Sequence, residues 1–221
     1  MSGDERPPIA QVFAPGQRGL MPISPKETRS PEYARFLIRA QTAPWKRILR
    51  VQEIYRWNLQ RLKPARTLDI GCGIGRNLVN LDRLSVGIDH NLESVEVARR
   101  RGLTALTPDE FRTSPFNEVG AFDSLLLAHV VEHMTRPEAC DLISTYLPNL
   151  RQGGRLILIT PQEAGFKSDA SHVQFMDFAA LVGLCRDLEL ETVVRFSFPF
   201  PRFAGSIFAY NEFVVVGRKG Q

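Results

Sequence analysis

The sequence predicts an α/β domain built on a parallel sheet with helices on both faces. Three observations carry this. Short apolar runs alternate with amphipathic stretches from residue 64 onward, a glycine-rich turn "IGCGIGRN" follows the first run, and an aspartate, Asp89, closes the second. The chain has 221 residues of which 43% are apolar, enough for one catalytic-sized core with extensions.

The first thirty or so residues carry Pro7, Pro8, Pro15, Pro22, Pro25 and Pro31, a composition that resists regular structure, so 1–32 is expected to be a proline-rich arm. In 33–63, Ile48, Val51, Tyr55, Leu59 and Leu62 recur at helical spacing before Pro64, which predicts a helical extension or lid. The domain proper is then 64–221. Strands are expected at "TLDI" (67–70), "SVGID" (85–89), "LTALT" (103–107), "FDSLLLA" (122–128), "GRLILIT" (154–160), "ETVVRFSF" (191–198) and "NEFVVVGRK" (211–219). Helices are expected between them at "RNLVNL", "LESVEVARRR", "VVEHMTRPEACDLISTYLPNL" and "DFAALVGLCRDL".

Composition narrows the function. Three separated cysteines indicate neither a disulfide framework nor a cysteine zinc site. No segment approaches the roughly 18 uninterrupted apolar residues of a membrane span, and "MSGDERPPIAQVFAPGQRG" holds no apolar signal core, so a soluble, cytoplasmic protein without a membrane partner is expected. The net charge of +4 is mild; "RAQTAPWKRILR" is the densest basic stretch and reads as a solvated helix face, so a nucleic-acid partner is not expected.

In "TLDIGCGIGRN", Gly71, Gly73 and Gly75 let the backbone turn sharply and approach a ligand, and Asp89, at the end of the next strand, can bind both hydroxyls of a ribose. Together they indicate an adenosine-containing cofactor. Asp69 would repel a pyrophosphate at this turn but attract the ammonium of an amino acid, which favours S-adenosylmethionine over NAD.

With "LDIGCGIGRN", "GIDHN", "FDSLLLAHVVEHM" and "LPNLRQGGRLILITP" in this order, the sequence resembles the class I S-adenosylmethionine-dependent methyltransferases from Arg66 onward. The resemblance implies a Rossmann-like sheet of seven strands, the last antiparallel, with the methyl donor across the carboxyl ends of the first strands. By the same resemblance Asp69, Gly71 and Gly73 would line the methionine part, Asp89 would hold the ribose, His90 would flank the adenosine, and Asp109 or Glu110 of "TPDEF" would face adenine.

His129, Glu132 and His133 follow the fourth expected strand, and His172 follows the fifth, so three of the four histidines fall in one predicted region. Nitrogen and carboxylate donors sharing a helical face can hold a divalent cation, or a lone histidine can deprotonate an acceptor hydroxyl; a histidine here can also simply bond a neighbouring backbone carbonyl. The run resembles the metal-dependent methyltransferase branch with Glu-x-x-Glu-His, His129 standing where the first Glu would be. That implies catalytic and metal roles for His129, Glu132, His133 and His172, with Mg2+ or Mn2+ as the ion. Co2+ or Zn2+ is the alternative if the softer ligand set decides.

"FSFPFPRFAGSIFAY" supplies Phe196, Phe198, Phe200, Phe203, Phe208 and Tyr210, which suit a sugar ring, an isoprenoid tail or an unstacked base, or else core and homodimer packing. Through "WNLQRL", "HVVEHM", "ITPQEAGF" and "YNEFVVVGRK" the chain is similar to an actinobacterial group of sugar 1-O-methyltransferases of methylmannose polysaccharide biosynthesis. The similarity implies a small-molecule or oligosaccharide acceptor, a short 3-O-methylated mannoside methylated at its 1-OH. The competing readings are 2′-O-methylation of an RNA end, O-methylation of a quinone or catechol, and a non-catalytic adenosine-binding partner subunit.

Overall fold

A computed structural model describes residues 51–220, with the side chains of 51 and 52 excepted. The expected arm 1–32, residues 33–50 of the helical extension and the basic stretch 39–50 lie outside the described residues.

Seven strands form one sheet in the order β3-β2-β1-β4-β5-β7-β6. They are β1 (Thr67–Ile70), β2 (Val86–Ile88), β3 (Ala105–Leu106), β4 (Phe122–Ala128), β5 (Leu150–Pro161), β6 (Glu191–Phe198) and β7 (Glu212–Arg218). β1 to β5 pair in parallel, whereas β7 is antiparallel to both β5 and β6. The antiparallel last strand agrees with expectation. Around the sheet lie α1 (Val51–Arg61), α2 (Leu92–Arg100), α3 (Pro108–Thr113), α4 (Arg136–Tyr146), α5 (Glu163–Lys167) and α6 (Phe178–Asp187).

The two-residue period of the central strands explains why both faces are covered. Leu125, Leu127, Leu156, Leu158, Phe213 and Val215 point to one side, into a core with residues of α4 and α6. Their alternates Leu126, Ile157, Ile159, Val214 and Val216 point to the other, where Leu59 of α1 and Leu62 just after it meet them. A third cluster of Cys72, Val95, Ala98 and Ala105 seats α2 beside the glycine-rich turn. No helix among the described residues is long and apolar enough to cross a membrane.

One expected element breaks up. The helix expected over "VVEHMTRPEACDLISTYLPNL" is a 3-10 turn at Val131–His133, then α4, then a second 3-10 turn at Leu147–Asn149. The reason is local: Thr135 and Glu138 form a capping box with Pro137 in the first turn, which starts α4 afresh, and Met134 is extended. "RNLVNL" likewise keeps only a 3-10 turn at Leu78–Asn80. Chain order reverses at β1, between β2 and β4, and there the carboxyl ends of the strands open the crevice in which α/β sheets bind ligands.

Candidate functional site

The glycine-rich turn leaves β1 at that crevice. Gly71, Gly73 and Gly75 all have positive φ, and a Cβ on Gly71 would lie 2.5 Å from Val130 Cγ2. The turn is pinned by Gly71 and Cys72 N–H groups donating to Ile88 O. Gly71→Ala is therefore expected to lower the melting temperature by several degrees, about 2 kcal/mol of strain and clash, and thermal unfolding of the variant checks this.

Two acids flank the turn. Asp89 is anchored by Gly73 N–H donating to Oδ2 and Asn91 N–H donating to Oδ1, both at 2.8 Å, which holds the carboxylate at the end of β2 with further lone pairs to offer. Asp69 is only 1% exposed, and its Oδ2 has no hydrogen-bond partner. Burial, and then repulsion from Asp89, pushes its pKa up to about 7. A buried carboxylate kept without a partner asks for a cationic or hydrogen-bonding ligand. The donor set thus fits an adenosine bearing an ammonium.

The adenine candidates separate. Glu110 Oε2 accepts from Thr107 N–H (2.7 Å), Thr107 Oγ1 (3.0 Å) and Arg99 Nη2 (2.7 Å), so this oxygen is taken up by the capping box of α3. Asp109 lies on the surface, paired with Arg112 at 2.7 Å, and His90 is exposed beside Asp89.

At the end of β4 the structure redistributes the expected ligands. His129 adopts φ +60°, its N–H bonding back to Ile159 O. Its Nδ1 lies 3.2 Å from Glu132 Oε1, and its Nε2 lies 2.8 Å from Glu212 Oε1. Both ring nitrogens therefore face carboxylates. Burial pulls the imidazole pKa down, but the facing carboxylates of Glu132 and Glu212 outweigh it and raise the value to about 9. A doubly protonated ring has no lone pair for a metal or for an acceptor's proton. His129 thus stands apart from the cluster of possible metal donors described next, with its ring set between two buried acids.

Glu132, His133 and His172 do converge, one donor atom of each lying within 4.8 Å of the others. Two backbone bonds bring the loop over: Val173 and Gln174 N–H groups donate to Glu132 O at 2.8 and 3.1 Å. His172 Nδ1 contacts Phe166 O at 2.8 Å, so that nitrogen carries the proton and Nε2 keeps the lone pair. The His133 and His172 rings are 4.8 Å apart, and Phe166 stacks on His172 at 5.1 Å. Burial holds the His133 pKa below its ordinary value, favouring the neutral, ligating form. Glu132 is fully buried, and neither of its oxygens receives a well-directed hydrogen bond, its contact with His129 being a charge pairing only. Two neutral nitrogens and an under-bonded carboxylate fit a divalent cation.

Glu212 was missed in the sequence because its partner lies 83 positions away; the one available signal was an acid opening the apolar run of β7. Tyr55, Asn58, Arg76 and Asn77 were missed similarly. With His129 and Glu212 they line a recess between α1 and the strand ends. Tyr55 closes it by donating to Tyr210 O at 2.5 Å, and Arg76 lies 5.5 Å over the Tyr55 ring.

Solved structures share this architecture. The chain is similar to a SAM-dependent methyltransferase from Archaeoglobus fulgidus (16% identity, 76% of this chain and 94% of that one, TM-score 0.59). It is also similar to the magnesium protoporphyrin IX methyltransferase of Synechocystis PCC 6803 with bound SAH (16%, 88% and 97%, TM-score 0.61). A third is a possible histamine N-methyltransferase from Thermotoga maritima (20%, 85% and 98%, TM-score 0.58).

The fold is that of the class I methyltransferases.

Residues 68–158 match the family model described as a methyltransferase domain, a span that runs from β1 through the glycine-rich turn and the Glu132–His133 pair into β5. Comparison with curated proteins finds no match. This methyltransferase fold puts the turn, Asp69 and Asp89 at the crevice, with the Glu132–His133–His172 cluster beyond the end of β4.

Proposed function

We propose that the chain is an S-adenosylmethionine-dependent O-methyltransferase that uses a divalent cation to methylate a sugar hydroxyl. The observation that carries it is Glu132, fully buried with neither oxygen satisfied by a hydrogen bond, beside two histidines each anchored through Nδ1. S-adenosylmethionine supplies a methyl on a sulfonium, displaced in line by the acceptor oxygen. A divalent cation such as Mg2+ or Mn2+ would be held by Glu132, His133 and His172 and would supply the Lewis acidity that brings an alcohol's high pKa down, the hydroxyl proton leaving to solvent.

The chain's own residues do the remaining work. Asp69 attracts the ammonium, the Gly71–Gly73 backbone admits the methionine closely, and Asp89 accepts from the ribose hydroxyls. His129, set between Glu132 and Glu212, holds the two carboxylates in place. On the acceptor side, exposed Phe200, Phe203 and Phe208 in the β6–β7 connection offer faces for a sugar ring. A short 3-O-methylated mannoside with vicinal 1-OH and 2-OH is the acceptor that the likeness of "HVVEHM", "ITPQEAGF" and "YNEFVVVGRK" to sugar 1-O-methyltransferases supports.

Calorimetry with S-adenosylhomocysteine tests the cofactor. Asp69 takes up a proton near pH 7 in the free protein, and the ammonium prefers the carboxylate. Affinity is therefore expected to rise with pH through about 7 and to level off above. Asp69→Asn should abolish that step and weaken binding about 10- to 100-fold, the worth of a charge-assisted bond. Absence of binding at any pH would end the cofactor assignment. Mass spectrometry of products from methylated mannosides, RNA ends and catechols, each with and without EDTA, tests the acceptor and the cation. A product from RNA or catechol alone would overturn the sugar reading, and EDTA-insensitive turnover would overturn the cation.

A further inference from the structure

The short turn that carries His172 also carries a chain of hydrogen bonds ending on His133. Asp169 Oδ1 accepts from Ser171 N–H at 2.9 Å and from Ser171 Oγ at 2.7 Å. The Ser171 hydroxyl proton is thereby spent on Asp169, so its oxygen presents a lone pair to His133 Nδ1, 3.1 Å away. Ser171 O, also an acceptor, lies 3.2 Å from the same nitrogen. His133 Nδ1 meets only acceptors and must carry the ring proton, which leaves the lone pair on Nε2. Ser171 is 1% exposed, so water does not compete for these bonds.

The charges of the cluster give this chain a purpose. With one carboxylate among its three donors, a dication at the cluster would not be neutralised by its ligands. Asp169 is the acid that Ser171 links to His133, through contacts of 2.7 and 3.1 Å. We propose that Asp169, acting through Ser171, is a positioning residue for cation binding, fixing the His133 tautomer and supplying the outer negative charge of the site. This rests on the cation reading above and goes beyond it, since neither residue would touch the ion. Outer partners of this kind orient a ligating imidazole and raise its basicity.

Asp169→Asn keeps an acceptor for Ser171 but removes the charge; Ser171→Ala keeps the backbone acceptor but cuts the relay. Mn2+ titration of the full chain, followed by electron paramagnetic resonance, should give a Kd about 10- to 100-fold weaker in each variant than in the wild type. The affinity for S-adenosylhomocysteine and the metal-free melting temperature should stay at wild-type values, which a merely structural role for the turn would not allow. Asp169→Glu is expected to recover part of the Mn2+ affinity. If the wild type binds Mn2+ and both variants bind it equally well, the relay is wrong and the cation reading stands. If the wild type binds neither Mn2+ nor Co2+, both fall.

Discussion

Replacing His129 by leucine is expected to be the most destabilising single change at the site. The imidazolium lies between Glu132, fully buried, and Glu212, nearly so, and its removal leaves two carboxylates in the interior without their counter-charge. Breaking a buried pair in this way costs roughly 3–5 kcal/mol; because the His129 side chain is 35% exposed, solvent screening reduces this to about 2–3 kcal/mol. For a chain of this size the melting temperature should fall by about 5–10 °C at neutral pH. The pH dependence identifies the cause. His129 has a folded-state pKa of about 9, above the unfolded value of 6.5, so its stabilisation is complete below about 6.5 and is lost as pH rises through about 9. Wild-type stability should therefore decline across this window, and the variant should lack the decline. Equal slopes for the two proteins in calorimetric scans between pH 6 and 10 would show that His129 is not the charged bridge.

The largest effect on activity is expected from Glu132→Gln. The substitution preserves shape and leaves His129 paired with Glu212, so the fold should suffer far less than in His129→Leu. What it removes is the one anionic donor of the Glu132–His133–His172 cluster. Mn2+ affinity should drop by more than about 100-fold, beyond the loss typical of an outer partner, and turnover should fall at least as far. Binding of S-adenosylhomocysteine should be unchanged, because Asp69 and Asp89 belong to the other half of the crevice. Turnover retained in Glu132→Gln would remove the cation from the reaction.

Much of this was readable from local pattern. "TLDI", "FDSLLLA" and "ETVVRFSF" are strands over the residues expected, because short runs rich in apolar, β-branched or aromatic residues suit a pleated sheet and are too short for a helix. Asp69, Gly71, Gly73 and Asp89 were legible for the same reason: a turn that needs positive φ selects glycine, and the acids stand at fixed offsets from it. Glu132, His133 and His172 were named from their types and order alone. The helix expected across "VVEHM" failed because the capping box at Thr135 outcompetes continuation of the 3-10 turn into α4. What the sequence did not separate was Asp109 from Glu110; the same kind of capping box, at Thr107, engages Glu110 and leaves Asp109 on the surface.

The sequence by itself determined the alternation of strands and helices, the ligand-binding turn and the chemical types gathered at the crevice, since each depends on neighbours within a few residues. Only the tertiary structure decided what His129 does. Its role depends on Glu212, which reaches it because β7 runs antiparallel beside β5 and returns its first residue to the carboxyl ends of the parallel strands. The same holds for Asp169 and Ser171, set against His133 by two backbone bonds to Glu132 O. A residue's charge state follows from the groups that surround it in space, and those groups lie 38 positions away for His133 and 83 for His129.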